Sequence, residues 1–211
     1  MKVLDLYCGG GGVSVGLFQG GATEITGVDI NPQPEYPSNF TFIQSDATKL
    51  DLKFLKQFDF IWASPPCQSY TFASARWRNL GKTYPDLVVP TREMLLKTGK
   101  PFVMENVTTA PLRKDLMLCG EMFGIGVIRH RIFEVQGFKV EQPVHKKHRG
   151  KVSDGYYVTV AGHGGDGKAS LKAWQDGMKI DWMRNKKTLA ESIPPVYSKY
   201  IFEQFLKNYV G

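Results

Sequence analysis

The chain opens on an apolar run, Val3-Leu4-Asp5-Leu6-Tyr7, which breaks into Cys8-Gly9-Gly10-Gly11-Gly12 and resumes as Val13-Ser14-Val15-Gly16-Leu17-Phe18. A strand, a glycine turn and a short helix, in that order, constrain the fold more than any other feature. Glycines let the backbone approach a ligand closely, and the helix start offers free N–H groups to a negatively charged one. This is the opening unit of a nucleotide-binding α/β sheet. Two further strands extend it. Glu24-Ile25-Thr26-Gly27-Val28-Asp29 ends in an acid about 20 residues past the glycines, where a carboxylate receives ribose hydroxyls. Phe40-Thr41-Phe42-Ile43-Gln44 leads to Asp46, an acceptor for an adenine amino group. Either acid alone reads more readily as a helix cap or turn residue. The three strand ends together suit an adenosine-containing cofactor.

The next strand, Phe58-Asp59-Phe60-Ile61, runs into Trp62-Ala63-Ser64-Pro65-Pro66-Cys67-Gln68. Neither proline can donate to a sheet ladder, so the strand stops there. Cys67 follows where the chain leaves the sheet, the end at which open α/β sheets hold ligands. It is either a nucleophile wetted by substrate or a structural cysteine after the turn. From Ser69 to Pro85, aromatic and basic residues interleave: Tyr70, Phe72, Arg76, Trp77, Arg78, Lys82 and Tyr84. This reads as a mobile loop suited to phosphate contact and base stacking, or as a surface loop with tucked aromatics. Asp86 to Lys97 reads as a helix with Leu87, Met94 and Leu95 inward. Pro101-Phe102-Val103-Met104 is a buried strand closed by Glu105-Asn106-Val107. A carboxyl beside so apolar a strand is a candidate for a raised pKa, or else a cap. Leu116 to Phe123 is expected to be helical. Arg129-His130-Arg131-Ile132-Phe133-Glu134-Val135 reads as a strand with Arg129 and Arg131 on one face, for oxyanion or phosphate contact or simply as a charged edge.

At 211 residues the chain holds one domain, or one domain and a small lobe. Its net charge of +7 is uneven: residues 1–60 carry four Lys/Arg against seven Asp/Glu, and residues 61–211 carry 23 against 13. A basic later part suits a polyanion, nucleic acid first, as well as a merely solvated surface. Residues 136–180 read as an inserted lobe. It contains the basic segment Lys139, Lys146, Lys147, Arg149 and Lys151, an expected strand Tyr156-Tyr157-Val158-Thr159-Val160, and a flexible loop, Gly162-His163-Gly164-Gly165-Asp166-Gly167. His145 and His148 lack metal-ligand spacing and read as surface residues. Three cysteines without a CxxC pair argue against a disulfide framework or a zinc site and fit a reducing cytoplasm. No metal, no membrane and a monomer are expected. The first residues read as a strand, not a signal peptide, and no run is long enough to span a bilayer. Pro194-Pro195 opens a last helix with Tyr197, Ile201, Phe202, Phe205 and Leu206 as its apolar stripe.

In order, these segments resemble the cytosine-5 DNA methyltransferase family over nearly the whole chain. Asp5-Leu6-Tyr7-Cys8-Gly9-Gly10-Gly11 is similar to the FxGxG cofactor loop, with Tyr7 for Phe; Pro65-Pro66-Cys67-Gln68 to the PCQ motif; Glu105-Asn106-Val107 to ENV; Arg129-His130-Arg131 to RxR; and Ile193-Pro194-Pro195 to the last motif. The resemblance implies a Rossmann-like α/β sheet with helices on both faces, which uses S-adenosylmethionine and acts on double-stranded DNA. It implies a catalytic part over 1–135, a small target-recognition lobe over 136–180, and a return of 181–211 to the catalytic part. Cys67, Glu105, Arg129 and Arg131 become the catalytic set. Cofactor contacts fall on Asp5, Tyr7, Cys8, Gly9, Gly11, Asp29, Ile30, Asp46, Ala47, Pro65 and Ser192. Nucleic-acid contacts fall on Gln68, Ser69, Arg76, Arg78, Lys82, Lys146, Lys147 and Arg149. The chain departs from the pattern at Val127, where the family has Gln, and at Ala190-Glu191-Ser192, where it has Gly-Asn before the small residue. Its short lobe implies a short or relaxed target sequence. An RNA (tRNA) cytosine methyltransferase, and a non-catalytic nucleic-acid binder keeping the fold, are the rival readings.

Overall fold

The computed structural model describes residues 1–161 and 169–208. Seven strands form one sheet: β1 Lys2–Leu6, β2 Glu24–Asp29, β3 Thr41–Gln44, β4 Phe60–Ala63, β5 Phe102–Asn106, β6 Leu116–Leu118 and β7 Arg131–Gln136. Their order is β3-β2-β1-β4-β5-β7-β6. The first five are parallel; β7 runs antiparallel to β5, and β6 antiparallel to β7. Parallel strands need both faces covered, which explains the unbroken burial of Phe60–Ala63 and Phe102–Asn106. Alternation divides the core. Val3, Phe60, Trp62 and Val103 join one apolar layer, while Leu4, Leu6, Ile61, Ala63 and Met104 join the other.

Helix α1 Gly12–Gln19 and the last helix, α7 Pro195–Asn208, cover the first face. They touch closely because Gly16 has no Cβ; one there would strike the Pro195 carbonyl and the Ser198 hydroxyl. Ser198 Oγ also donates to the Val13 carbonyl at 2.9 Å. Helices α2 Leu52–Leu55 and α4 Val88–Leu96 cover the second face, and α3 Ala75–Asn79 lies in the segment after β4. Helices α5 Leu171–Met178 and α6 Lys186–Glu191 return to the first face, where Trp174, Met178 and Leu189 enter the same core as Phe202.

The observed elements differ from the expected ones at several places. Leu116 to Phe123 is not a helix. Leu116 and Leu118 pair with Phe133 and Arg131 as an edge strand, and only Gly120–Phe123 turns, as a 3-10 turn. Tyr156–Val160 is irregular: the Val158 N–H donates to the Gly126 carbonyl (2.9 Å), and among the described residues no strand pairs with it. The Ser69–Pro85 stretch contains a 3-10 turn, Phe72–Ser74, and α3. Leu206 is left 39% exposed, outside the buried stripe of α7. The loop expected over Gly162–Gly167 lies outside the described residues. Among those described, no helix is long and apolar enough to cross a membrane.

Candidate active site

In this strand order the chain switches direction across the sheet between β1 and β4, so a crevice opens above their carboxyl ends. The glycine loop forms one wall. Gly9 sits at φ +48 with open space where a Cβ would be, and its N–H donates to Asp29 Oδ2 at 3.0 Å. The other oxygen, Asp29 Oδ1, accepts the Asn31 N–H at 2.9 Å. Gly11, at φ +85, caps α1. Asp5 is fully buried beneath the loop. Burial pushes its carboxyl up to about 7, against the pull of the Ser14 hydroxyl bonded to Oδ2 at 2.6 Å. Its Oδ1 has no partner. An open glycine face, a strand-end carboxylate and an orphaned buried oxygen fit an adenosine-bearing sulfonium cofactor.

The other expected cofactor residues are distributed unevenly. Tyr7 takes a left-handed φ of 62 and bonds Thr91 of α4 through its hydroxyl at 2.7 Å. Cys8 is buried, which pushes its thiol up and leaves it inert. Ile30 is exposed at the end of β2, while Ala47 and Pro65 are buried. Asp46 caps the turn Ala47–Lys49. The Thr48 hydroxyl (2.7 Å) and N–H (3.0 Å) hold its carboxyl below the usual range. Ser192 bonds back to the Thr188 carbonyl at 2.8 Å. Burial raises the carboxyl of Glu191; Lys187 opposes this and Asp29 adds to it, so this departure from the family pattern feels the same crevice. Sequence reasoning missed Trp182, whose indole N–H donates to the Gly10 carbonyl at 2.9 Å, and Met183, which leaves no room for a side chain at Gly10.

The second wall brings the thiol and the carboxyl together. Cys67 follows β4, and Glu105 lies on the neighbouring strand β5. Asn106 ties the two strand ends by donating from Nδ2 to the Pro65 carbonyl at 2.9 Å. Glu105 is 5% exposed and accepts Arg131 Nε at 2.9 Å across the β5–β7 ladder. Burial raises the Glu105 carboxyl; Arg131, the Ser64 hydroxyl and Arg129 partly offset this. Burial also raises the Cys67 thiol, with Arg131 and Arg129 lowering it and Glu105 raising it. Cys67, Glu105, Arg129 and Arg131 therefore share one electrostatic pocket. Arg129 is fixed within it. Its Nη atoms donate to the Val160 and Ala190 carbonyls at 3.1 and 2.6 Å, and its Nε has no partner. Burial, then the neighbouring Arg131, drives its pKa down to about 9. Val127, in the place of the family's Gln, is 1% exposed and packs in the core.

Not every expected nucleic-acid residue presents its charge. Arg78 Nη1 reaches the Gln68 carbonyl (2.8 Å), the Thr71 carbonyl (2.9 Å) and the Ser74 hydroxyl, bracing the loop that carries Cys67. Ser69 Oγ donates to the Tyr84 carbonyl at 3.0 Å. Arg149 pairs with Glu121 at 3.2 Å and lies over the Tyr156 and Tyr157 rings. Arg76, Lys82, Lys146 and Lys147 are exposed, as is Gln68.

The family description "C-5 cytosine-specific DNA methylase" matches residues 1–115. Type II methyltransferase M.HgiDI of Herpetosiphon aurantiacus is 33% identical over 134 residues, covering 59% of this chain and 42% of its own length. Type II methyltransferase M.HgiGI of the same organism is 32% identical over 124 residues, covering 54% of this chain and 96% of its own. The chain thus spans less than half the length of the first relative. The crystal structure of S. pombe Dnmt2 methyltransferase shares the fold, with a TM-score of 0.60 at 13% identity over 98% of each chain. With the match spanning the glycine loop, Cys67 and Glu105 in one continuous stretch, the chain belongs to the C-5 cytosine-specific DNA methylase family.

Proposed function

We propose that this protein transfers a methyl group from S-adenosylmethionine to C5 of a cytosine flipped out of double-stranded DNA, through a covalent adduct between Cys67 and C6. The observation that carries this reading is the shared pocket of Cys67, Glu105 and Arg131 beside the open face of Gly9. C5 of cytosine is too electron-poor to take a methyl group unaided. The Cys67 thiolate adds to C6 and pushes electrons into the ring. Glu105, whose raised carboxyl keeps its proton more readily than an ordinary acid, hydrogen-bonds or protonates N3. Arg131 lies where it can bind O2 and stabilise the same charge. Gly9, Asp29 and Asp5 would hold S-adenosylmethionine, which supplies the electrophilic methyl group. Loss of the C5 proton and departure of Cys67 restore the ring. A target base stacked in a duplex must be extruded first, and the exposed Arg76 and Lys82 stand on the segment that follows Cys67.

Duplex DNA and tRNA, each carrying 5-fluorocytosine, test the proposal together. Fluorine cannot leave as the proton does, so the adduct persists. The expected result is a denaturation-resistant adduct with DNA that requires S-adenosylmethionine and disappears in Cys67→Ser. An adduct with tRNA alone favours an RNA substrate. No adduct with either overturns catalysis and leaves a binding protein. Residues 136–180 carry a single helix and a single 3-10 turn among the described residues, which supports short or relaxed sequence recognition. Methylation mapping on random-sequence DNA would show a required site of four or more base pairs if that part is wrong.

A further inference from the structure

Away from the crevice, four residues from three stretches of chain converge at the edge of the sheet. Cys119 follows β6, caps the turn Gly120–Phe123 and is fully buried. His130 precedes β7. His145 and His148 belong to the basic segment that runs past β6 without regular structure. One ligand atom from each of the four lies within 4.8 Å of all the others. Cys119 Sγ is 3.4 Å from His148 Nε2, and His130 Nε2 is 3.1 Å from His145 Nε2.

The two short spacings are close to the edges of a metal tetrahedron. With Zn–S and Zn–N bonds of about 2.3 and 2.05 Å, tetrahedral angles place S and N about 3.6 Å apart and two N atoms about 3.3 Å apart. Pairwise hydrogen bonds between neutral imidazoles and a thiol account for the two short contacts, but a single cation accounts for all four ligand atoms lying within 4.8 Å of one another. Bonds around the cluster hold the chain beside His148 in place. Tyr157 donates to Glu121 Oε2 at 2.6 Å, the Arg149 N–H donates to Tyr157 Oη at 3.0 Å, and the His148 ring lies against Tyr157. Gln142 also bonds both the N–H and the carbonyl of Met117 in β6, so the segment is laid along the edge strand. Apolar packing anchors the start of the segment through Val140 but not its middle, where Val144 is 80% exposed.

We propose that Cys119, His130, His145 and His148 bind one zinc ion in a closed, four-coordinate structural site. Cys119 gives up its thiol proton on binding, and the three histidines bind as neutral imidazoles. One thiolate and three imidazoles suit zinc, and four protein ligands leave no position for catalytic water. The site clamps the segment bearing Lys146 and Lys147 against β7. His130 stands between Arg129 and Arg131, so the ion fixes the strand that delivers the proposed catalytic arginine. The sequence hides the site because its ligands come from three separate stretches and contain no paired-cysteine signature.

Metal content tests this without any activity assay. The full chain, expressed with zinc in the medium, is expected to hold one zinc per chain by mass spectrometry. The stripped protein is expected to take up Co²⁺ with tetrahedral d–d bands and a thiolate charge-transfer band. His145→Ala and His148→Ala, at surface-accessible positions where misfolding is not at stake, are expected to weaken Co²⁺ binding by at least roughly 100-fold, beyond the loss usual for outer-layer changes. Cys119→Ser is expected to remove the charge-transfer band, and Cys67→Ser to leave it intact. Removing zinc is expected to speed tryptic cleavage after Lys146 and Lys147. Absence of zinc and of Co²⁺ uptake, or unchanged binding in both histidine variants, overturns the proposal.

Discussion

The Cys67 thiol feels opposing charges, and these can be separated. Burial raises it, Arg131 and Arg129 pull it down, and Glu105 pushes it up. In the proposed reaction the Cys67 thiolate is the nucleophile, so the rising limb of activity with pH is expected above that of an ordinary cysteine. Removing a lowering cation raises the thiol further, and removing a raising anion lowers it. Iodoacetamide labelling of Cys67 against pH, followed by mass spectrometry, is therefore expected to shift its midpoint upward in Arg131→Gln and downward in Glu105→Gln. Cys8 and Cys119 are buried and do not compete. Identical midpoints in the two variants would mean that the groups do not share a pocket. At this scale the sequence placed the residues but not their roles: Cys67 follows β4, Glu105 lies near the end of β5 and Arg131 opens β7, and all were readable from the apolar strands beside them. Arg78 and Arg149 were not, since their carbonyl and carboxylate partners are set by how the loops fold back.

Among the elements, the strand–glycine–helix unit contains glycines with two different tasks. Gly16 allows α1 to lie on α7, and a methyl group there meets backbone that cannot move aside. Gly9 takes a left-handed conformation and faces open space. Overpacking typically costs about 1–3 kcal/mol and a left-handed non-glycine residue about 1–2 kcal/mol. Gly16→Ala is therefore expected to lower the melting temperature by several degrees and leave S-adenosylhomocysteine affinity nearly intact in the folded fraction. Gly9→Ala is expected to weaken that affinity more than it lowers the melting temperature. Differential scanning fluorimetry beside calorimetry separates the two, and a reversed pattern would sink the assignment. The central strands were readable from the sequence because both faces are buried and their apolar runs are continuous. Leu116–Leu118 and Tyr156–Val160 were not, because three apolar residues specify a strand only if an edge is free to receive them. Leu116–Leu118 found one on β7, and Tyr156–Val160 did not.

Across the whole molecule, the return of the chain completes the crevice. Trp182 reaches the Gly10 carbonyl from 172 residues away in sequence, and Glu35 accepts the Arg184 N–H at 2.7 Å. Arg129 bonds both Val160 and Ala190. Trp182→Phe keeps an aromatic ring at the site but loses the fused pyrrole and with it one hydrogen bond, which contributes about 1 kcal/mol net. S-adenosylhomocysteine binding is expected to weaken by roughly fivefold with little change in melting temperature; unchanged affinity would show that Trp182 does not shape the loop. By itself, the sequence determined the α/β sheet and its glycine loop, because apolar runs and turn residues act locally. Only the tertiary structure decided that Asp46 caps a turn, that Arg129 bonds two carbonyls, and that the ligand atoms of Cys119 and three histidines lie within 4.8 Å of one another. Those outcomes depend on which distant backbone atoms and side chains come within bonding distance, and no local pattern records that.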